Sequence, residues 1–308
     1  MLTPALFDRF RLTQMEKNLG VYGVHVYQEG QGEIEHRFRS DDRIEVYSAS
    51  KTFTSLAIGM CQAEGRLKLT DHVLDFFPEW ASVASEGSEA ITLLDMLHMC
   101  SGKDYVMFET SSGMDETAYT TDWAELYFRG RVTTTPGTHF FYANANTYML
   151  GRVVEQVSGQ VLRDYLTKRL FEPLRILGPA WNTCSRGHSL GALGLQLTTS
   201  ELSRVGRLML QGGVWDEAQL VPSSYVDAMH TDVVDPAGHF SDPESNAGYG
   251  YQVWLNTTPG TWRADGMYGQ YSIVLPDQHA VVTTTSHNEP CPCDIIRAVF
   301  ADIVPLLQ

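Results

Sequence analysis

Strand-like patterning is confined to the two ends of this 308-residue chain, and that separation restricts the fold more than any other feature. Residues 21–38, VYGVHVYQEGQGEIEHRF, form two β-rich runs around a glycine-containing turn, the pattern of a hairpin. From residue 249 onward come YGYQVWLN, TWRADGMYGQYSIVLP and HAVVTTTS, each bounded by Gly, Pro, Asn or Asp. Between them, over about residues 70–190, helical periods dominate: ITLLDMLHMCSG, TDWAELYFRG, NTYMLGRVVEQVSG and QVLRDYLTKRLFEPL. A helix pattern also opens the chain at about residues 4–19, and another closes it with Ile296, Val299, Phe300 and Ile303 on one stripe. Two strands early, three late and a helix at each end predict an α+β fold of the α/β sandwich type. Its antiparallel five-stranded sheet would be built from both chain ends, flanked by the terminal helices, with an all-helical insertion. The expected units are residues 1–69 with 190–308 for the sheet and 70–189 for the helices, with a ligand site in the cleft between them.

Ser48 and Lys51 stand where the first strands give way to an apolar helix, in VYSASKTFTSLAIGMCQAEG. Phe53, Leu56, Ala57, Met60 and Cys61 share a helical face, and Gly65 supplies a stop. Residues three apart on a helix lie on one face, so a helix starting near Ser48 brings the two side chains together. A serine hydroxyl needs a base to attack a carbonyl. A lysine whose charged form is disfavoured by burial can be that base. The competing structural reading makes Ser48 or Ser50 an N-cap and Lys51 a solvated first-turn residue. Tyr142 and Asn144, in HFFYANANTYMLG, form a second constellation. A phenol with a pKa lowered by a neighbouring lysine can act as an acid for a leaving group, and an asparagine amide can hold both a lysine and a substrate carbonyl. The plain alternative is a packed tyrosine followed by a helix-capping asparagine.

With Ser48, Lys51, Tyr142 and Asn144 in this order, the chain resembles the serine β-lactamase and penicillin-binding protein superfamily, most closely its class C β-lactamase and esterase-like branch. Nearly the whole chain carries the resemblance, including GRLKLTDHVLDFFPEW, ITLLDMLHMCSG, FYANANTYMLGRVVEQVSG and GALGLQLTTSELSRVGRLMLQGGVWDEAQLVPSSYV. It implies a β-lactamase/transpeptidase-like fold and a serine hydrolase that cleaves an ester or amide, such as a β-lactam or a D-amino-acid peptide, through a covalent acyl-serine. In that scheme Ser48 is acylated, Lys51 is its base, Tyr142 shuttles the proton, and Asn144 contacts the lysine and the substrate. The third family motif, Lys-Thr-Gly or a His-containing variant, falls on Ala264-Asp265-Gly266, and its cation is missing. Ala264 therefore argues for neutral esters or amides over anionic β-lactams, Gly266 keeps room for a substrate backbone, and Asp265 reads as an exposed strand residue. The resemblance also implies an oxyanion hole made by the backbone N–H groups of Ser48 and Met267. The rival reading is a catalytically weak or inactive member that binds a peptide or acyl ligand.

A net charge of −15 argues against nucleic-acid and anionic-membrane partners and leaves a small-molecule ester, amide or lactam as the expected one. No basic, apolar leader pattern opens the chain, and its five cysteines are an odd number, so a reducing cytoplasm is the expected compartment. His287, Cys291 and Cys293 share a short loop but want a fourth ligand, so no metal and no cofactor are expected.

Overall fold

The computed structural model describes residues 1–104, 120–236 and 238–307; of the helical region expected at 70–189, positions 105–119 lie outside the described residues. The chain-end strands meet as one antiparallel sheet in the order β2-β1-β10-β9-β8-β7. Its members are β1 (Val21–Gln28), β2 (Gly32–Arg37), β7 (Trp254–Leu255), β8 (Trp262–Gly266), β9 (Gln270–Leu275) and β10 (Ala280–Ser286). Two small pairs lie outside it, β3 (Ile44–Glu45) with β4 (Gln196–Leu197) and β5 (Val214–Trp215) with β6 (Ala218–Gln219).

The sheet has six strands where five were expected. TWRADGMYGQYSIVLP is not one strand but the β8–β9 hairpin, closed by a turn in which Tyr268 (φ 66°) and Gly269 (φ 96°) take left-handed conformations. YGYQVWLN contributes only β7, because Gln252 at φ 63° turns the chain before extended pairing begins.

Helices cover both faces. On one, α1 (Asp8–Glu16) and the C-terminal α9 (Cys293–Asp302) enclose a core of Phe10, Val24, Val26, Ile273, Leu275, Val282, Ile296 and Val299. On the other, Thr199–Leu210 presses so closely that a Cβ on Gly206 would lie 2.3 Å from Ser272 Oγ. Beside it runs α2 (Ser50–Ala63), in which every residue from Ser50 to Cys61 is buried. This apolar helix is central to the molecule. Its polar side chains are satisfied internally, Thr52 by the Gln252 carbonyl at 3.1 Å, Thr54 by the Gly191 carbonyl at 2.9 Å and Ser55 by the Tyr225 hydroxyl at 3.0 Å. One apolar cluster runs from Trp262, Ala264 and Val274 on the sheet through α2 to Asn144–Ser158 and Leu162–Leu166, so strand and helix regions share a core. Among the described residues no helix is long and apolar enough to cross a membrane.

Candidate active site

A 3-10 turn, Tyr47–Ala49, leads directly into α2, so Ser48 lies just ahead of the helix proper and Lys51 in its first turn. Tyr47 holds φ 47°, a conformation that costs a non-glycine residue on the order of 1–3 kcal/mol and needs surrounding structure to enforce it. Its ring packs edge-on to Tyr268, with centroids 5.1 Å apart, which ties the Ser48 turn to the β8–β9 turn.

Lys51 is 1% exposed. Its Nζ lies 3.0 Å from Ser48 Oγ, 2.7 Å from Asn144 Oδ1 and 3.0 Å from the Ala192 carbonyl oxygen. Burial lowers its pKa to about 7, against a smaller opposing pull from Asp265. The partner chemistry fits an uncharged amine. A neutral amine has two N–H donors and one lone pair; Asn144 Oδ1 and the Ala192 carbonyl can only accept, and the Ser48 hydroxyl can donate. The loop that offers the Ala192 carbonyl is pinned by Thr54, which donates to the Gly191 carbonyl, and by the Gly194 N–H, which donates to Glu45 Oε1 at 3.0 Å.

Tyr142 places its ring 4.9 Å from Lys51 Nζ, with its hydroxyl in hydrogen-bonding reach of Ser48 and Trp254. Trp254, Tyr249 and Phe240 surround that ring at 5.6, 5.9 and 6.1 Å. Burial raises the phenol pKa well above its ordinary range, contrary to the lowering expected from a lysine neighbour. A half-neutral lysine exerts little pull on a proton while the aromatic walls penalise a phenolate. Tyr142 is therefore a protonated donor at neutral pH.

Of the third-motif residues, Gly266 makes room for the chain itself: a Cβ there would lie 2.2 Å from the Val46 carbonyl oxygen and 3.2 Å from the Ala49 nitrogen. That contact sets the end of β8 against the Ser48 turn, with Met267 just beyond it, 58% exposed. The Ala264 side chain is fully buried among core side chains, on the face of β8 that turns toward α2. Asp265 is not an exposed strand residue. Its side chain is 22% exposed, and Oδ2 accepts from Arg263 Nε at 2.7 Å. Arg263 itself is fully buried and also donates to the Leu255 and Glu244 carbonyls and Asn256 Oδ1.

Sequence reasoning missed the Ala192 carbonyl, which as a backbone atom carries no side-chain signal, and the Arg263–Asp265 pair, whose i, i+2 spacing on one strand face was legible. It also missed the aromatic wall of Trp254 and Tyr249. The His287 loop gathers no ligand set: His287 stacks on Tyr268 at 4.3 Å, Cys291 and Cys293 are free thiols, and among the described residues no three His, Cys, Asp or Glu side chains are placed to hold a metal ion.

Residues 14–301, almost the entire chain, match the family profile described as Beta-lactamase. The chain belongs to the beta-lactamase family. It is a serine hydrolase of that family. Over 266 residues it is 28% identical to the 6-aminohexanoate-dimer hydrolase of Paenarthrobacter ureafaciens, a match covering 81% of this chain and 67% of that protein. Among solved structures, a D-stereospecific amidohydrolase from Streptomyces sp. superposes with a TM-score of 0.72 at 22% identity, covering 96% of this chain and 98% of that one. EstCE1, described as a hydrolase with promiscuous acyltransferase activity, superposes with a TM-score of 0.76 at 16% identity, covering 97% and 98%. At these identities the two structures establish the shared fold.

Proposed function

We propose that the protein hydrolyses small uncharged-at-the-carboxyl esters or amides through an acyl-enzyme on Ser48. The observation that carries this reading is the set of partners around Lys51 Nζ: two obligate acceptors and one hydroxyl at 3.0 Å. Ser48 Oγ attacks the carbonyl carbon as its proton passes to the free pair on Lys51. The carbonyl oxygen, now negative, lies between the backbone N–H groups of Ser48 and Met267, donors that need no side chain. Collapse breaks the bond to the leaving group, which takes a proton from the Tyr142 hydroxyl, and Lys51 returns its proton to the phenolate. Water then attacks the acyl-serine by the reverse proton route. Asn144 holds the amine in place, and the cleft between the sheet unit and the helical unit, residues 1–69 with 190–308 against 70–189, receives the substrate. The absence of a cation at Ala264-Asp265-Gly266 favours substrates without a carboxylate over anionic β-lactams. The fold shared with an amidohydrolase and with EstCE1, and the 28% identity to an aminohexanoate-dimer hydrolase, support amide and ester chemistry.

Mass spectrometry after treatment with a fluorophosphonate tests the nucleophile: one adduct is expected, on Ser48, and absent in Ser48→Ala. Labelling at another serine defeats the assignment. Comparing a short-chain aryl ester with a chromogenic cephalosporin tests the substrate class, and a dominant cephalosporin rate reverses it.

A further inference from the structure

The free edge of β8 carries a carboxylate, Asp265, of which the ion pair with the buried Arg263 uses only one oxygen. Strand β7 pairs with β8 only at Leu255↔Trp262 and Trp254↔Arg263, so among the described residues the outer edge of β8 is unpaired from Ala264 to Gly266. Asp265 stands in that open stretch, between the Arg263 position that Trp254 covers and the Met267 N–H proposed for the oxyanion. Trp254 is in turn part of the wall around Tyr142.

Two features make Asp265 a recognition group rather than an internal tie. The first is geometry. Arg263 reaches it through Nε alone, at Oδ2, because both Nη groups are committed to Leu255, Asn256 and Glu244. Among the described residues Oδ1 accepts no hydrogen bond, yet it is not one of the buried atoms left without a partner, so the exposed part of the side chain includes it. The second is charge. Arg263 faces two carboxylates, Asp265 at 2.7 Å and Glu244 at 3.9 Å, so one negative charge is left over. Burial raises the Asp265 carboxyl above its ordinary range, while Arg263 first and Lys51 after it favour its charged form. Asp265 is near enough to Lys51, Tyr142 and Tyr249 to act on each electrostatically, and a leftover carboxylate charge in such a largely buried setting acts through a low effective dielectric, where an incoming ammonium gains most and an incoming carboxylate loses most.

We propose that Asp265 selects substrates bearing a protonated amine a few bonds from the scissile ester or amide carbonyl, and disfavours those bearing a carboxylate there. This rests on the serine-hydrolase reading above and narrows its substrate class. The reach is set by the chain: Asp265 precedes Met267, the residue just after β8, by two positions, roughly 7 Å for extended backbone. That distance suits an amine on the short chain of an amino-acyl group or of a diamine leaving group. Oδ1 accepts from the ammonium while Arg263 keeps Oδ2, so the carboxylate is oriented before the substrate arrives.

The test is a series of matched short-chain amides in which either the acyl chain or the leaving amine ends in an ammonium, a methyl or a carboxylate. In the wild-type protein, kcat/KM for the better ammonium member is expected to exceed that of its methyl twin by roughly ten- to a hundredfold, the range for a hydrogen bond to a charged group, with the carboxylate member slowest. In Asp265→Asn, or in Asp265→Ser should the first variant not fold, the ammonium-to-methyl ratio is expected to fall close to one. Because the ratio is taken within each protein, a general loss of activity cancels. Equal wild-type rates, or a ratio that survives both substitutions, overturn the proposal while fluorophosphonate labelling of Ser48 and turnover of the methyl twin leave the hydrolase reading standing. No turnover of any member together with no labelling of Ser48 overturns both.

Discussion

The molecule contains two buried lysines in nearly the same company, and only one of them, Lys51, has the surroundings that the proposed acyl transfer needs. Lys51 has Ser48, a tyrosine ring at 4.9 Å and a backbone carbonyl; Lys103, 2% exposed, has Ser88 at 3.1 Å, Ser85 at 3.3 Å, the Tyr127 ring at 5.0 Å and the Gly130 carbonyl. Burial lowers both amines, to about 7 and about 8. The Tyr127 hydroxyl even donates to an asparagine, Asn146, at 3.3 Å. The difference lies in where the hydroxyl protons go and what can reach the oxygens. Ser85 donates to the Gly130 carbonyl at 2.7 Å, and Ser88 has no exposed surface. At Lys51 the remaining contacts are acceptors that fill the N–H groups and leave the lone pair for Ser48, beside a strand edge open to a ligand. A serine, a lysine and a tyrosine in contact are thus a packing solution until a direction and an entrance are added.

The most demanding way to break this contrast is to remove the two sets of hydroxyls separately. Ser48→Ala is expected to lower ester or amide turnover by roughly 10⁴-fold or more, and adding Lys51→Met should cost little beyond that, because the pair acts as a unit. Ser85→Ala should leave kcat/KM of the purified protein unchanged, and a large loss there would erase the distinction. Tyr142→Phe is expected to lower kcat by about 10²–10⁴-fold, the span for a lost general acid, whereas Tyr127→Phe should affect melting temperature rather than rate. For the lysines, Lys103→Met should cost about 1–3 kcal/mol of stability in denaturant titration through the unsatisfied Gly130 carbonyl and serine hydroxyls, with catalysis by the folded fraction intact. The pH profile sharpens the assignment further. If the working form of Lys51 is uncharged, kcat/KM rises with pH through about 7, the value burial gives it. The smallest effect concerns Asp265, whose charge opposes that lowering; Asp265→Asn should move the rising limb to lower pH, by up to about one unit for a partly screened neighbour. A limb that moves upward, or does not move, assigns the titration to another group.

How much of this was legible depended on whether the signal lay in side-chain order or in backbone shape. The β1–β2 hairpin and the helices at Trp123–Arg129, Asn144–Ser158 and Thr199–Leu210 follow from turn residues and apolar spacing, and so does the meeting of Ser48 with Lys51 one turn apart. The β8–β9 hairpin was hidden because its left-handed turn begins at Tyr268, where an Asn or Gly would have announced it. The depth of α2 was hidden as well, since nothing in the residue order announces that Thr52, Thr54 and Ser55 are each consumed by a buried partner. Asp265 was misread because an acidic residue on a strand is usually solvated. The arginine two positions earlier, on the same face, was the available clue.

The contact at Gly266 has a consequence for how such a protein can diversify. The spacing between the Ser48 turn and the end of β8 is fixed by main chain lying against main chain, the Val46 carbonyl and the Ala49 nitrogen filling the space a methyl group would need. Exposed side chains nearby, Met267 and Phe240 among them, take no part in that contact. New appetites can be written on the rim while the machinery beneath keeps its dimensions, and a single added carbon at position 266 would do more damage than many changes around the entrance.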